Sequence, residues 1–164
     1  MFEPQGGAQI PTDQLAEEIA CAQRRHALEG LTVVGGEPLD QMPALIELCQ
    51  HLRDRVPTLG ILVFTGYELE HVADRAALHA LLPLVDTIVD GPFDALRKEP
   101  PGGRRFLGST NQRLLHQTCR YADATLWRGP NGAELRVDER GNVRACGHPD
   151  AVRRALRAIR PARA

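Results

Sequence analysis

Short apolar runs that alternate with amphipathic segments constrain the fold of this chain more than any other feature of its sequence. The apolar runs cover residues 31–34, 60–64 and 85–89. The segments between them place apolar side chains three or four positions apart, which is the spacing of a helix with one buried face. Strands that alternate with helices favour a parallel sheet with right-handed crossovers. We therefore predict an α/β fold on a partial, barrel-like, curved parallel sheet, with helices near residues 13–28, 40–55 and 69–79.

The last third of the chain follows another pattern, with shorter apolar runs at residues 124–128, 134–137 and 142–145. Pro130-Asn131-Gly132 and Glu139-Arg140-Gly141 separate these runs, and both tripeptides are rich in residues that form tight turns. We therefore predict a small C-terminal β-hairpin, followed by a final helix over residues 150–159.

This change of pattern also divides the chain. We predict an α/β domain over residues 1–118 and a hairpin-and-helix extension over residues 119–164. Residues 94–107 contain Pro100-Pro101-Gly102-Gly103, which interrupts both helices and strands. We expect a loop there, which is either a flap over a site or an exposed connector.

Composition excludes several classes of protein. The 164 residues are 43% hydrophobic and 25% charged, as in ordinary globular domains, and the net charge is −1. A charge so close to zero gives no field that would attract nucleic acid. No apolar run approaches the roughly 18 residues of a membrane span, and we recognise no signal peptide. The four cysteines are scattered, which suggests a reducing compartment, so we expect a cytoplasmic protein.

Gly35-Gly36-Glu37-Pro38 follows the first apolar run directly and is the strongest signal of a binding site. Glycine leaves the main chain open to close approach by a ligand, because it has no Cβ atom. Glu37 adds a negative charge at the carboxyl end of a strand, where open α/β sheets bind ligands, and Pro38 suits the first turn of a helix. The turn therefore predicts a site for a small molecule with a cationic group. An ordinary strand-to-helix turn is the alternative.

Three further segments extend this signal. Residues 85–93 form another apolar run that ends in acid, glycine and proline, and Thr65-Gly66-Tyr67 follows the run at 60–64. Gly108-Ser109-Thr110-Asn111-Gln112-Arg113 is a polar run between apolar neighbours. In this order and spacing, the four segments resemble the radical S-adenosylmethionine (SAM) activating enzymes, and among them the activases of anaerobic ribonucleotide reductase. The resemblance covers roughly the first 115 residues.

The cysteines depart from this family's pattern. The family signature is three cysteines in a C-x3-C-x2-C loop, which hold a [4Fe-4S] cluster after the first strand. Cys21, Cys49, Cys119 and Cys146 are instead 28, 70 and 27 positions apart, far from the spacing of a cluster loop. Residues 2–7 resemble the segment that follows that loop. We therefore expect the chain to lack the first strand and cluster loop, either because the true start lies upstream or because a natural variant lost the cluster.

The resemblance implies a role for each matching position. Family members bind SAM as a chelate on the cluster. Backbone carbonyls of the turn at residues 35–38, with the Glu37 carboxylate, would accept hydrogen bonds from the SAM ammonium group. Thr65 would face the same crevice, and Asp90 would hold the ammonium or a cation, although a turn-capping role is the alternative for Asp90. The ribose or the carboxylate would contact Ser109, Asn111 and Arg113, for which a polar edge strand is the alternative.

Complete members of the family use an electron from the reduced cluster to cleave SAM, and the resulting 5′-deoxyadenosyl radical takes a hydrogen atom from a backbone glycine of a partner enzyme. The resemblance thus implies an iron–sulfur oxidoreductase. Its partner would be a glycyl-radical enzyme such as anaerobic ribonucleotide reductase, and its electron donor a protein such as flavodoxin. The alternative is a non-catalytic, cluster-less protein that keeps a SAM-like pocket or a docking surface. We assign no catalytic residue and no metal ligand, and expect no reductive SAM cleavage by this chain alone.

Overall fold

The computed structural model describes residues 8–147 and 149–159. The chain forms two compact units. The first contains Met1–Lys98 and Ser109–Asp123, and the second contains Glu99–Gly108 and Ala124–Ala164. Residues 2–7, which resemble the segment that follows the family's cluster loop, lie outside the described residues.

An open four-stranded sheet organises the first unit. β1 (Gly30–Val33), β2 (Gly60–Phe64) and β3 (Thr87–Asp90) run parallel, and β4 (Arg113–His116) pairs antiparallel with β3. The strand order is β1-β2-β3-β4, so β1 lies at one edge of the sheet within the described part of the chain. The predicted α/β fold is confirmed, with an open sheet rather than a closed barrel.

Three helices share one hydrophobic core with this sheet. They are α1 (Thr12–His26), α2 (Met42–Arg55) and α3 (Arg75–Leu81), and α2 packs against both of the others. Among the described residues, no helix has the length and apolar character needed to cross a bilayer. The largest fully buried side chains of the core come from helices, strands and connections alike, and include Leu52, Leu59, Ile61, Leu78, Leu81 and Ile88.

The third helix begins later than the predicted start at residue 69. Leu69–His71 form a short 3-10 turn, and α3 begins only at Arg75. Asp74 caps this helix, because its Oδ1 atom accepts a hydrogen bond from the backbone N–H of Ala77 at 2.9 Å. An acidic cap satisfies an N–H group that has no partner within the helix. Apolar periodicity therefore located this helix, but the capping residue sets its first turn.

A buried ion pair fixes the amino ends of β2 and β3. The Asp86 carboxylate accepts hydrogen bonds from Arg53 Nη2 at 2.9 Å, from the backbone N–H of Ile61 at 2.8 Å and from Thr118 Oγ1 at 2.6 Å. Arg53 also donates to the carbonyl oxygen of Leu84 at 2.9 Å. Burial raises the pKa of Asp86, but the hydrogen bonds from Thr118, Ile61 and Arg53 outweigh burial, so the pKa is lowered overall.

Two glycines at the amino ends of β1 and β2 make room for Tyr121. A Cβ atom on Gly60 would lie 1.9 Å from the Tyr121 hydroxyl oxygen, and one on Gly30 would lie 2.7 Å from it. The hydroxyl group donates a hydrogen bond to Glu29 at 2.8 Å. Burial, together with this hydrogen bond, raises the pKa of Tyr121. A side chain at either glycine would therefore displace the tyrosine ring.

Gly60→Ala should destabilise the first unit by about 1–3 kcal/mol, because the added methyl group overpacks a filled space. Urea unfolding followed by circular dichroism measures the change in the free energy of unfolding. In a Tyr121→Ala background the clashing ring is absent, so the same substitution should cost much less. Equal losses in both backgrounds would contradict the assignment of the clash to Tyr121.

The second unit is built on a hairpin and a helix. β5 (Ala133–Val137) and β6 (Val143–Gly147) pair antiparallel, and α4 (Pro149–Ile159) contacts both strands. The segment Glu99–Gly108 joins this unit, since the backbone N–H of Arg105 donates to the carbonyl oxygen of the buried Trp127 at 2.7 Å. The predicted hairpin and C-terminal helix are confirmed.

One of the predicted hairpin strands is wrong. Ala124–Trp127 form a 3-10 turn, so no hairpin is centred on residues 130–132. The observed hairpin turns at residues 138–141 instead, where Asp138 Oδ1 accepts hydrogen bonds from the N–H groups of Arg140 at 2.9 Å and Asn142 at 2.8 Å. Gly141 follows with a φ of +78°. An acceptor side chain and a glycine in the left-handed region together stabilise this turn.

Candidate functional site

The carboxyl ends of β1, β2 and β3 surround an open cavity of about 220 Å³. Parallel strands bring the loops at their carboxyl ends together, so segments far apart in the sequence meet at one edge of the sheet. Four of the nine residues predicted to bind a cofactor line this cavity. The complete lining consists of Gly35, Gly36, Glu37, Phe64, Thr65, Gly66, Gly91, Phe93 and Gln112.

The two glycines after β1 give the cavity an exposed main chain. Gly35 and Gly36 have φ values of +87° and +50°, and a Cβ atom on either would meet nothing within 4 Å. The backbone conformation, rather than a lack of space, is therefore what favours glycine here. The space left open beside the peptide groups is available to a ligand.

Glu37 joins the glycine turn to the loop after β2. Its Oε1 atom accepts hydrogen bonds from the N–H of Leu39 at 3.0 Å and from Thr65 Oγ1 at 2.6 Å, and Oε2 accepts one from the N–H of Gly66 at 2.8 Å. The first bond caps the 3-10 turn Pro38–Gln41, whose proline is buried. A carboxylate accepts about four hydrogen bonds, so one position remains for a ligand.

Asp90 is fully buried and does not line the cavity. Its Oδ1 atom accepts a hydrogen bond from Arg113 Nε at 2.9 Å, and Oδ2 accepts from Arg113 Nη2 and from the N–H of Leu69 at 3.1 Å. Arg113 also binds the exposed Glu70 at 2.9 and 2.6 Å, and this hydrogen bonding lowers the pKa of Glu70 to about 2. Asp90 and Arg113 therefore connect β3, β4 and the 3-10 turn before α3.

Ser109 and Asn111 hold the loop that follows β3. Ser109 Oγ accepts a hydrogen bond from the N–H of Asp94 at 3.1 Å, and Asn111 Nδ2 donates to the carbonyl oxygen of Pro92 at 2.7 Å. Neither side chain lines the cavity, whereas their neighbour Gln112 does. These contacts position the loop at residues 91–94, which contributes to the cavity wall.

Five of the nine lining residues were not predicted from the sequence: Phe64, Gly66, Gly91, Phe93 and Gln112. Gly91 has a φ of +98°, Phe93 is 60% exposed, and Gln112 lies between two residues that were predicted. All five lie in segments that the sequence already indicated. A glycine directly after an acid at the end of a strand is the signal that identifies Gly91.

The cysteines do not form a cluster site within the described part of the chain. Cys49 is buried in α2, Cys21 is half-buried, and Cys119 and Cys146 are exposed. Burial raises the pKa of Cys49 to about 11, although the charge of Arg53 opposes this, so Cys49 stays a thiol. Among the described residues, no group of three or more histidine, cysteine or acidic side chains could hold a metal ion. These residues do not fit a [4Fe-4S] cluster, which requires converging thiolates.

Curated relatives of the chain share one name, anaerobic ribonucleoside-triphosphate reductase-activating protein. The protein of Vibrio cholerae is 35% identical over 90 residues, which cover 54% of this chain and 55% of the relative. The protein of Enterobacteria phage T4 is 30% identical over 112 residues and 67% of each chain. The Escherichia coli K12 protein is 33% identical over 90 residues, or 54% of this chain and 56% of the relative.

The chain thus spans about half the length of the bacterial relatives it matches. No solved structure matches it. The resemblance to the activases of anaerobic ribonucleotide reductase is confirmed by these relatives. A family model described as a 4Fe-4S single cluster domain matches residues 2–115, which is more than half of the sequence. This chain therefore belongs to the 4Fe-4S single cluster domain family.

Proposed function

We propose that this chain provides the SAM-binding part of a radical SAM enzyme that activates a glycyl-radical enzyme. The observation that carries the proposal is the convergence of Gly35, Gly36, Glu37 and Thr65 around one cavity, in a chain whose relatives are named as reductase-activating proteins. The partner would be anaerobic ribonucleotide reductase or a similar enzyme, and flavodoxin is a suitable electron donor. The described residues do not supply the cluster ligands, so the proposal assigns them SAM binding and not cluster binding.

The cavity suits one end of SAM rather than the whole molecule. Its volume of about 220 Å³ is below the roughly 300–1,000 Å³ of sites for drug-sized ligands. The ammonium group would donate to backbone carbonyl oxygens of Gly35 and Gly36 and to the remaining acceptor position of Glu37. The exposed ring of Phe93 offers apolar contact beside them. SAM supplies the radical precursor when it is bound, and these residues bind and orient it.

The buried polar residues act on this site by positioning it. Asp90 and Arg113 hold the ends of β3 and β4 together, and Ser109 and Asn111 hold the loop at residues 91–94. Their side chains would reach SAM only if these contacts rearranged. The described free cysteines agree with the reducing environment of the cytoplasm, where we place the protein.

Glu37→Gln should weaken SAM binding by about tenfold, because it removes the negative charge facing the ammonium group. We expect the unmodified chain to bind SAM with a dissociation constant in about the high micromolar range, since contacts to a cluster are missing. Isothermal titration calorimetry measures both values. The matched control is Glu47→Gln, an exposed position on α2 that loses the same charge and should bind SAM normally. If the unmodified chain, Glu37→Gln and Glu47→Gln all bind SAM with equal affinity, SAM binds at another site.

A non-catalytic, cluster-less binding protein is the second candidate, and the scattered cysteines favour it. Such a protein would keep a SAM-like pocket or a docking surface, so SAM binding alone does not separate it from the enzyme. The discriminating assay supplies the protein with SAM, a reductant and the glycyl-radical enzyme. Formation of 5′-deoxyadenosine with a glycyl radical, detected by electron paramagnetic resonance, supports the enzyme. Saturable SAM binding without either product supports the second candidate.

A further inference from the structure

A second open cavity, of about 490 Å³, lies within the second unit and takes no part in the proposed SAM site. Its lining combines the cationic Arg105, the aromatic Phe106, Glu134 and Cys146 with three small residues. We propose that this cavity binds a small planar molecule that carries an oxyanion, either a phosphate or a carboxylate. The proposal does not depend on SAM binding.

Arg105 is the group that selects an anion. Its Nε atom is buried and has no hydrogen-bond partner among the described residues. The guanidinium carbon lies 4.2 Å from the centroid of the Phe106 ring, so the ring holds the cation without supplying a hydrogen-bond acceptor. Buried guanidinium nitrogens are normally paired, and a ligand oxyanion is the acceptor with the matching charge.

Phe106 presents an aromatic surface at the same place. Its φ of +71° is a conformation that bulky residues rarely adopt, and its N–H donates to Asn131 Oδ1 at 3.0 Å. The side chain remains 55% exposed, while Trp127 contacts it edge-on with ring centroids 6.3 Å apart. Strained backbone conformations are concentrated at functional sites. Here the strained residue presents an exposed aromatic ring on which a ligand can stack.

The charge of the second unit also favours an anionic ligand. Its two segments contain eleven arginines and five acidic residues, so its formal charge is +6 with histidine neutral. Glu134 is the acidic residue in the cavity lining, and it accepts a hydrogen bond from Arg136 Nε at 2.7 Å. Its charge is therefore offset locally, and the surrounding field attracts anions.

The size of the cavity sets the class of ligand. A volume of about 490 Å³ lies within the usual range for small-molecule sites, roughly 300–1,000 Å³. A nucleoside monophosphate and an aromatic carboxylate both combine a flat ring with an oxyanion. They place the same two groups against Phe106 and Arg105, so the experiment needs one probe of each kind.

Trp127 reports on this site, because it is the single tryptophan of the chain and contacts Phe106. Titrations of the full chain with adenosine monophosphate and with benzoate should show a saturable change in tryptophan fluorescence with at least one of them. Adenosine and benzamide, their uncharged counterparts, should bind at least about tenfold more weakly. The probe that binds more tightly shows whether the site prefers a phosphate or a carboxylate.

Three variants decide the assignment. Arg105→Gln should weaken binding by about tenfold or more, whereas the matched Arg140→Gln, which loses the same charge at the exposed hairpin turn, should bind as the unmodified chain does. Phe106→Gly should also weaken binding, and it leaves the fold intact because glycine adopts a φ of +71° without strain. The proposal is overturned if neither anion binds saturably, or if Arg140→Gln weakens binding as much as Arg105→Gln does.

Discussion

Replacing Asp86 with alanine should lower the free energy of unfolding of the first unit by about 3–5 kcal/mol. The carboxylate is 6% exposed and pairs with Arg53, which is itself 23% exposed. Alanine would leave a largely buried guanidinium without its charge partner and would remove the acceptor for the N–H of Ile61 and the hydroxyl group of Thr118. Breaking a buried pair from one side is costly because the remaining charge stays uncompensated.

The pH dependence of this loss follows from the lowered pKa of Asp86 in the folded chain. A carboxyl group of this kind adds stability above its unfolded pKa of about 3.9, and that stability is lost as the pH falls through the folded value. The difference between the unmodified chain and Asp86→Ala should therefore be complete at neutral pH and should shrink below about pH 4.

Urea unfolding at neutral and acidic pH measures both effects. The control is Asp54→Ala, which removes an exposed aspartate one residue from Arg53 and should change stability by no more than about 0.5 kcal/mol. A difference between Asp86→Ala and the unmodified chain that stays constant as the pH falls would contradict the assigned role of the Asp86 carboxylate.

The 164-residue chain should hold no stable [4Fe-4S] cluster when it is incubated anaerobically with iron and sulfide. Its four cysteines are too far apart in the sequence to form a cluster loop, and they do not converge with other ligands in the described part of the chain. Cys49 is also buried, with its pKa raised to about 11, so its thiolate is scarce at neutral pH. Iron and sulfide analysis, with the visible absorption spectrum, measures the outcome.

The matched control for this experiment replaces all four cysteines with serine. Iron bound non-specifically should be equal in the two chains, because neither offers a set of thiolates to a cluster. A near-stoichiometric cluster in the unmodified chain, lost in the serine variant, would contradict the prediction. It would also show that cysteines distant in the sequence can meet.

Local signals explain which parts of the fold and site could be predicted. The glycine turn after β1 and the Thr65 loop after β2 follow apolar runs directly, and parallel pairing alone brings them to one edge. The pairing of Asp90 with Arg113 needs the antiparallel register of β4 on β3, which aligns these two residues. No short-range pattern encodes that register, so the sequence alone did not indicate that Asp90 and Arg113 pair with each other.

In the second unit, too, short-range sequence patterns fail to predict contacts between distant segments. Residues 124–128 form a short, mostly apolar run that predicts a strand, yet Ala124–Trp127 form a 3-10 turn whose tryptophan is buried. The segment Glu99–Gly108 contains prolines and glycines that indicate a loop, and nothing local in them indicates packing with residues beyond 123. Contacts between segments distant in the sequence decide both outcomes, and single-sequence patterns do not record them.

The chain path through the two units has a consequence for biosynthesis. The chain enters the second unit at Glu99 and returns to the first at Ser109, where Lys98 and Ser109 form a β-bridge. During translation, residues 99–108 leave the ribosome before Trp127 and Asn131, to which Arg105 and Phe106 bond. Arg105 and Phe106 can form these two bonds only after the C-terminal segment has been made. A nascent chain of which only the first 123 residues have emerged from the ribosome could therefore form the four-stranded sheet while this loop is still unfinished, which makes the loop a natural target for chaperones and proteases.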